Sequence, residues 1–143
     1  MARVKINCPR KPVFSTEIPV LIGHINYGGH LGNDAILSLA HEARVRFLQW
    51  IGCSELDAFG TGLIMTDAAI VYKGEGFQGD KLTVSVVAFD ISSRGFDLYY
   101  HISCKREDTE KTIAEIKTGM LCFDYDKRRP ARVPEKLREI LVK

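Results

Sequence analysis

Between Gly23 and Gly32 the chain places four glycines and two histidines in ten residues, and a helical pattern begins directly afterwards, near Asn33. Unpaired N–H groups at a helix N-terminus, next to a Gly28-Gly29 pair that lets a ligand approach the backbone, suit an oxyanion or other anionic group. Glycine turns before helices are also common structural devices, so such a loop needs a partner group to do chemistry. Glu42, about two and a half helical turns further on with His41 beside it, is a carboxylate in an otherwise apolar helix. It must be solvated by a cleft, which makes it a general-base candidate, or be paired with Arg46 four residues on, or with Arg44 or Arg94. His41 taken alone reads as a hydrogen-bonded structural histidine.

Other chemistries lack their spacing. His24, His30 and His41 form no H-x-x-x-H pair, and Cys8, Cys53, Cys104 and Cys122 form no C-x-x-C pair. No metal site is therefore expected, and the cysteines read as buried or half-buried thiols. There is no G-x-S-x-G elbow, no P-loop and no cysteine in a nucleophile context. Gly74-Glu75-Gly76-Phe77-Gln78-Gly79 has dinucleotide-loop spacing, but a strand follows where that motif requires a helix. Lys127-Arg128-Arg129 with Arg132, and Lys105-Arg106, are cations suited to phosphate or to a solvated surface.

The elements that must position these residues follow from periodicity. Val13 to Ile22, with Pro19 inside it, predicts an edge or bulged strand. Asn33 to Ile51 predicts one long helix, with Gly32 or Asn33 as N-cap, Asp34 at the positive end of the dipole and Gly52 as the stop. Asp34, Ser38, His41, Glu42 and Gln49 make a narrow polar stripe on it, and apolar residues including Trp50 cover most of the rest, so the helix should be wrapped rather than laid on a surface. Strands follow at Leu63 to Lys73, Lys81 to Ile91, Phe96 to Lys105 and Thr112 to Tyr125. Short turns at Ser92 to Gly95 and Glu107 to Glu110 predict antiparallel neighbours. A basic segment and short helix close the chain from about residue 127 to 143, the helix spanning Glu135 to Val142. An α+β fold results, a curved antiparallel sheet of about five strands wrapped around one long central helix, which is the hotdog architecture. One sheet face and one strand edge remain uncovered, which predicts association of protomers.

With 143 residues, 45% hydrophobic and 27% charged, residues 1–143 read as a single ordinary folded domain. A formal charge of +2 favours neither nucleic acid nor an anionic membrane as partner. The longest apolar stretches are too interrupted to span a bilayer, and the N-terminus lacks the apolar core of a secretory signal. A cytoplasmic location is expected.

Asn26-Tyr27-Gly28-Gly29-His30-Leu31-Gly32-Asn33, then Leu37, then Glu42-Ala43-Arg44, resembles the signature of the 4-hydroxybenzoyl-CoA thioesterase-like branch of hotdog acyl-CoA thioesterases. In that branch a D-x-x-G-H-V-N-N loop runs into the central helix, which carries E-E-A-R. Tyr72 and Gly79-Asp80-Lys81-Leu82-Thr83-Val84 resemble its strand pair around G-D-x-L-x-V, so the likeness touches Phe14 to about Tyr125. It implies hydrolysis of an acyl thioester, with coenzyme A carried by the substrate and no other cofactor, in a homodimer or homotetramer whose site lies between protomers. The branch's catalytic Asp is Asn26 here, and the first Glu of E-E-A-R is His41. An Asn-plus-carboxylate arrangement is implied. Asn26 would orient water or the thioester, N–H groups around Gly32 and Asn33 would polarise the carbonyl, and Glu42 or Asp67 would activate water. Tyr27, Gly28, Gly29, His30 and His41 would line the substrate site. Asp67 also reads as a strand-edge hydrogen-bonding group. A non-catalytic acyl-CoA-binding or regulatory hotdog module, and a hotdog dehydratase, are the alternatives.

Overall fold

A computed structural model describes residues 3–143. Strand β1 (Phe14–Pro19) is followed by a 3-10 turn at Ile22–His24, helix α1 (Asn33–Ile51), and strands β2 (Gly62–Tyr72), β3 (Lys81–Phe89), β4 (Gly95–Arg106) and β5 (Thr109–Asp124). A two-residue strand β6 (Arg129–Pro130) and helix α2 (Glu135–Leu141) complete the chain. The sheet order is β1-β3-β4-β5-β2, with every pairing antiparallel and β6 alongside the end of β5.

Helix α1 is bounded by its glycines. Gly32 is the extended N-cap, and Gly52 ends the helix at φ 94°, donating its N–H to the Gln49 and Leu48 carbonyls. Between them Ala35, Ile36, Leu39, Ala40, Ala43, Phe47 and Leu48 are buried against the concave sheet face, where Leu82, Val84, Val86, Leu98, Tyr100, Ile102 and Ile116 alternate inward. Leu39 is 2% exposed, so its truncation to Ala would cost about 2–5 kcal/mol in transfer and cavity energy. Trp50 departs from expectation. It stands exposed, with its ring 5.4 Å from that of Phe14.

Several details differ from the sequence reading. The first strand stops at Pro19, since Val20 still donates to the Asp80 carbonyl but the chain then coils into the 3-10 turn. The hairpin before β5 needs only Glu107 and Asp108, both with positive φ, so β5 begins at Thr109. The basic segment contains β6, which continues the sheet past Phe123 and Asp124. Cys8, expected to be buried or half-buried, is exposed in the segment before β1.

The convex sheet face carries a polar group of its own. The Tyr99 hydroxyl donates to Glu115 Oε2 at 2.5 Å, and Lys73 Nζ lies 2.7 Å from Glu115 Oε1. Nearby, Arg10 donates from Nε to the Ala88 carbonyl at 3.0 Å and from Nη2 to the Leu141 carbonyl at 2.6 Å, linking the segment before β1 to both β3 and α2. At the other side of the sheet β2 pairs with β5 alone, with a bulge between Met65 and Asp67. No second strand among the described residues pairs with it, and the Leu63 N–H donates to the Glu55 carbonyl at 2.7 Å. No helix among the described residues is long and apolar enough to cross a membrane.

Candidate active site

The glycine-rich loop is a small closed structure. Ile25 and Leu31 form an isolated bridge, Asn26 N–H donates to the His30 carbonyl at 2.9 Å, and Gly29 N–H returns to the Asn26 carbonyl at 3.0 Å. Gly29 takes φ 83°, which a side chain would resist. The Asn26 amide oxygen accepts the Gly28 N–H at 2.9 Å. That leaves the Asn26 NH2 as the free end, a donor with no capacity to take a proton. Tyr27 sits exposed at the tip.

The loop hands over to α1 at Gly32, whose N–H is consumed by the His24 carbonyl at 2.9 Å. Gly32 has no side-chain cap to offer, and the Asn33 N–H finds no partner among the described residues. Of the two backbone donors expected at this point, Asn33 is therefore the open one. Its carbonyl accepts the Tyr72 hydroxyl at 2.9 Å and its side-chain oxygen accepts the Asp34 N–H at 3.0 Å, so the first turn is held from β2 and from within. Behind the loop, the Gly74–Gly79 segment acts as a brace, with Leu31 N–H donating to the Gly76 carbonyl.

Asn26, Gly28, Gly29, His30, Gly32 and Asn33 are thus gathered by local hydrogen bonding, and Tyr27 is carried on the same loop. The other candidates are placed elsewhere. Glu42 Oε2 accepts Arg46 Nε at 2.8 Å, one turn along the helix, while Arg46 Nη1 also donates to Thr16 Oγ1 and the Glu17 carbonyl on β1. Asp67 lies on the convex side of β2, opposite Gly119, and accepts Lys117 Nζ at 2.8 Å. That hydrogen bond and the charge behind it outweigh slight desolvation and hold the Asp67 carboxyl below the ordinary carboxylate range. Neither carboxylate hydrogen-bonds to the loop among the described residues. His41 Nε2 is 2.9 Å from Glu55 Oε1, on the stretch between α1 and β2.

A cleft of about 260 Å³ runs along one stripe of α1, lined by Asp34, Leu37, Ser38, His41 and Arg44, with Met65 of β2 facing them. Asp34 marks the end next to the loop. A Cβ placed on Gly32 would stand 2.7 Å from Asp34 Oδ1 and 3.6 Å from the Asn26 Cβ, so the acid and the amide flank the same glycine. Arg44 is 5% exposed, donates from Nη1 to the Tyr100 hydroxyl at 3.1 Å, and holds its Nε 3.4 Å from Glu55 Oε1 as an ion pair. The sequence placed Asp34 at the helix dipole and on the polar stripe, with no catalytic role. The signal that could have found it is the polar stripe itself, since positions 34, 38 and 41 share one face of the helix.

No group of three or more His, Cys, Asp or Glu is placed to share a metal ion among the described residues. Two basic features have separate settings. Arg106 is engaged by Asp80 and lies 5.0 Å over the Phe77 ring, whereas Arg94, Lys127, Arg129 and Arg132 surround an open cavity of about 460 Å³.

Comparison with known structures places this architecture. A 1,4-dihydroxy-2-naphthoyl-CoA thioesterase from Synechocystis superposes with a TM-score of 0.80 at 21% identity, covering 91% of this chain and 96% of its own. A Staphylococcus aureus protein in complex with CoA gives 0.80 at 19% identity, covering 96% of this chain and 86% of its own. A mutant 4-hydroxybenzoyl CoA thioesterase complexed with 4-hydroxybenzoyl CoA gives 0.80 at 12% identity, covering 90% and 97%. At these identities the likeness establishes the hotdog fold expected from the sequence. No curated protein matches the chain in sequence. The sequence does match the Thioesterase-like superfamily over residues 20–141, a span that includes the loop, α1 and the strands from β2 onward; the chain belongs to that superfamily, hotdog enzymes that hydrolyse acyl thioesters.

Proposed function

We propose that the protein hydrolyses acyl-CoA thioesters at the Asn26 loop and the start of α1, with coenzyme A entering as part of the substrate and no other cofactor. The observation that carries this reading is the pair of open donors at one place, the Asn26 NH2 and the Asn33 N–H. A thioester carbonyl set between them would have its oxygen stabilised as charge develops there, where a helix N-terminus adds its own positive potential. Water adds to the carbonyl carbon, and the carbon–sulfur bond breaks to release acid and thiol. Gly28 and Gly29 allow the thioester to approach the backbone, while Tyr27, His30 and His41 offer surface to the acyl or pantetheine portion. Glu42 and Asp67, the two carboxylates first expected to activate water, each serve here as counter-ion to a cation, and the Lys117 hydrogen bond lowers the Asp67 carboxyl and weakens it as a base.

The site is completed by a second copy of the chain, in a homodimer or a homotetramer built from it. Supporting this, β2 lies next to the cleft through Met65, and among the described residues no strand other than β5 pairs with it. The cytoplasm is the proposed location. A thiol-release assay across short, medium, long and aromatic acyl-CoAs tests the function. Release from at least one class, lost in Asn26→Ala, is expected. Saturable binding of acyl-CoA with no release from any of them would instead favour a binding or regulatory module, a reading to which the ion-paired state of Glu42 and Asp67 lends weight.

A further inference from the structure

We propose that Asp34 is the carboxylate that accepts the proton of the attacking water, a role that rests on the thioesterase reading of the same site. Three observations converge on it. Asp34 Oδ1 and the Asn26 side chain flank Gly32, so Asp34 stands beside the amide donor rather than along the helix from it. Its carboxylate forms no ion pair among the described residues, unlike Glu42, Asp67, Asp80 and Glu115, each of which is tied to a lysine or arginine. It also opens onto the 260 Å³ cleft, which the buried Arg44, ion-paired with Glu55, lines as well. Asp34 supplies an unpaired carboxylate to a cleft that Leu37 and Met65 otherwise line with apolar surface.

The position explains how a site with Asn26 in place of an acid remains complete. Donor and base are divided between two residues, Asn26 holding the carbonyl oxygen and Asp34 facing the water. Gly32 is what permits this, because any side chain there would meet Asp34 Oδ1 at 2.7 Å. In the reaction the water oxygen bonds to the carbonyl carbon as its proton passes to the Asp34 carboxylate. Collapse of the tetrahedral intermediate then breaks the carbon–sulfur bond, and the same proton returns from Asp34 to the leaving thiolate. No oxidant, reductant or further reactant is required. Distance favours Asp34 over His41: positions 33 and 41 are about 12 Å apart along the helix, too far for His41 to serve the carbonyl held at Asn33 of its own protomer.

The test compares purified Asp34→Asn, Asp34→Glu and Gly32→Ala with wild type on the thioester that wild type hydrolyses best, each first shown to keep the wild-type circular dichroism spectrum and oligomeric state. Asp34→Asn should lose roughly a hundredfold or more in kcat, the range for removing a general base, with KM nearly unchanged. The acid limb of its pH–rate profile should flatten. The titratable groups around this cleft are His41 and Arg44 on the same stripe and His24 and His30 in the loop, while β2 contributes Met65 and the Tyr72 hydroxyl bonded to Asn33; the other carboxyl, Glu55, is engaged by His41 at 2.9 Å and Arg44 at 3.4 Å. Asp34→Glu should recover part of the rate, and Gly32→Ala, which displaces the carboxylate without removing it, should lose about tenfold. Asp34→Asn within twofold of wild type, or a loss confined to Glu42→Gln or Asp67→Asn, overturns the role while leaving the hydrolase intact. A wild-type protein that cleaves no thioester overturns the hydrolase reading, and this role falls with it.

Discussion

Leu31 and Gly76 meet backbone to backbone. The Leu31 N–H donates to the Gly76 carbonyl at 2.7 Å, and a Cβ on Gly76 would stand 2.9 Å from Leu31 Cδ2 and 3.0 Å from Leu31 Cβ. The glycine is demanded by that approach, and the contact is what holds the loop end from which Gly32 and Asn33 follow. Gly76→Val is expected to destabilise the fold by about 1–3 kcal/mol through overpacking. Because the displaced segment is the one carrying the open N–H, turnover should fall several-fold more than the loss of folded protein explains, as thermal melts and thiol release on the same samples would show.

Asn26→Ala removes a donor and also the acceptor that anchors the Gly28 N–H. A fall in turnover of about a hundred- to a thousandfold is expected, the range for an oxyanion donor. Asn26→Asp separates the two contributions. It keeps the anchor on Gly28 but presents a second carboxylate where the carbonyl oxygen should be, so it should melt like wild type and still be slow in thiol release.

The convex face supplies a pH dependence of stability. Burial alone would raise the Glu115 carboxyl above its ordinary 4.5, but hydrogen bonds from Lys73 and Tyr99 outweigh it and the net shift is downward. The unfolded chain therefore binds the proton more readily than the folded one. Stability from this group is fully present above the ordinary value and disappears as pH falls through the lower folded value. Glu115→Gln should cost roughly 1–2 kcal/mol at pH 7 and very little near pH 3, measured by urea denaturation across that range.

Arg94, Lys127, Arg129 and Arg132 around the open cavity are suited to the phosphates of coenzyme A. Replacing Lys127, Arg129 and Arg132 by Gln should raise KM for the preferred acyl-CoA about tenfold, while leaving kcat and the KM for the matching acyl-pantetheine unchanged. Equal kinetics with both substrates would make the cavity ordinary surface.

Much of this was legible along the chain, for identifiable reasons. The bounds of α1 were readable because both ends are glycines with distinct backbone tasks, an extended Gly32 and a left-handed Gly52. The inward residues of β3 and β4 were readable because alternation survives wherever one face is buried. Glu42 was ambiguous because four-residue spacing to Arg46 fits a helix ion pair as well as a catalytic acid; the structure forms the pair, and β1 strengthens it by binding the same arginine. Asp34 was hidden for the opposite reason. Its nearness to Asn26 comes from the loop folding back through the Ile25–Leu31 bridge, a contact that no helical or strand period encodes. Strand β6 was hidden because its pairing with Phe123 and Asp124 gives two polar-flanked residues no pattern of their own.

Arg10 touches β3 and α2 at once, through the Ala88 and Leu141 carbonyls. One guanidinium of the segment before β1 thereby shares its donors between β3 and α2, and a carbonyl in the final turn of α2 is satisfied by a residue more than a hundred positions earlier. The two ends should then open as one cooperative unit. In native-state hydrogen exchange, Arg10→Ala is expected to speed exchange of the α2 amides and of the Ala88 neighbourhood together while sparing β4 and β5, so that a change near residue 10 is read out beyond residue 135.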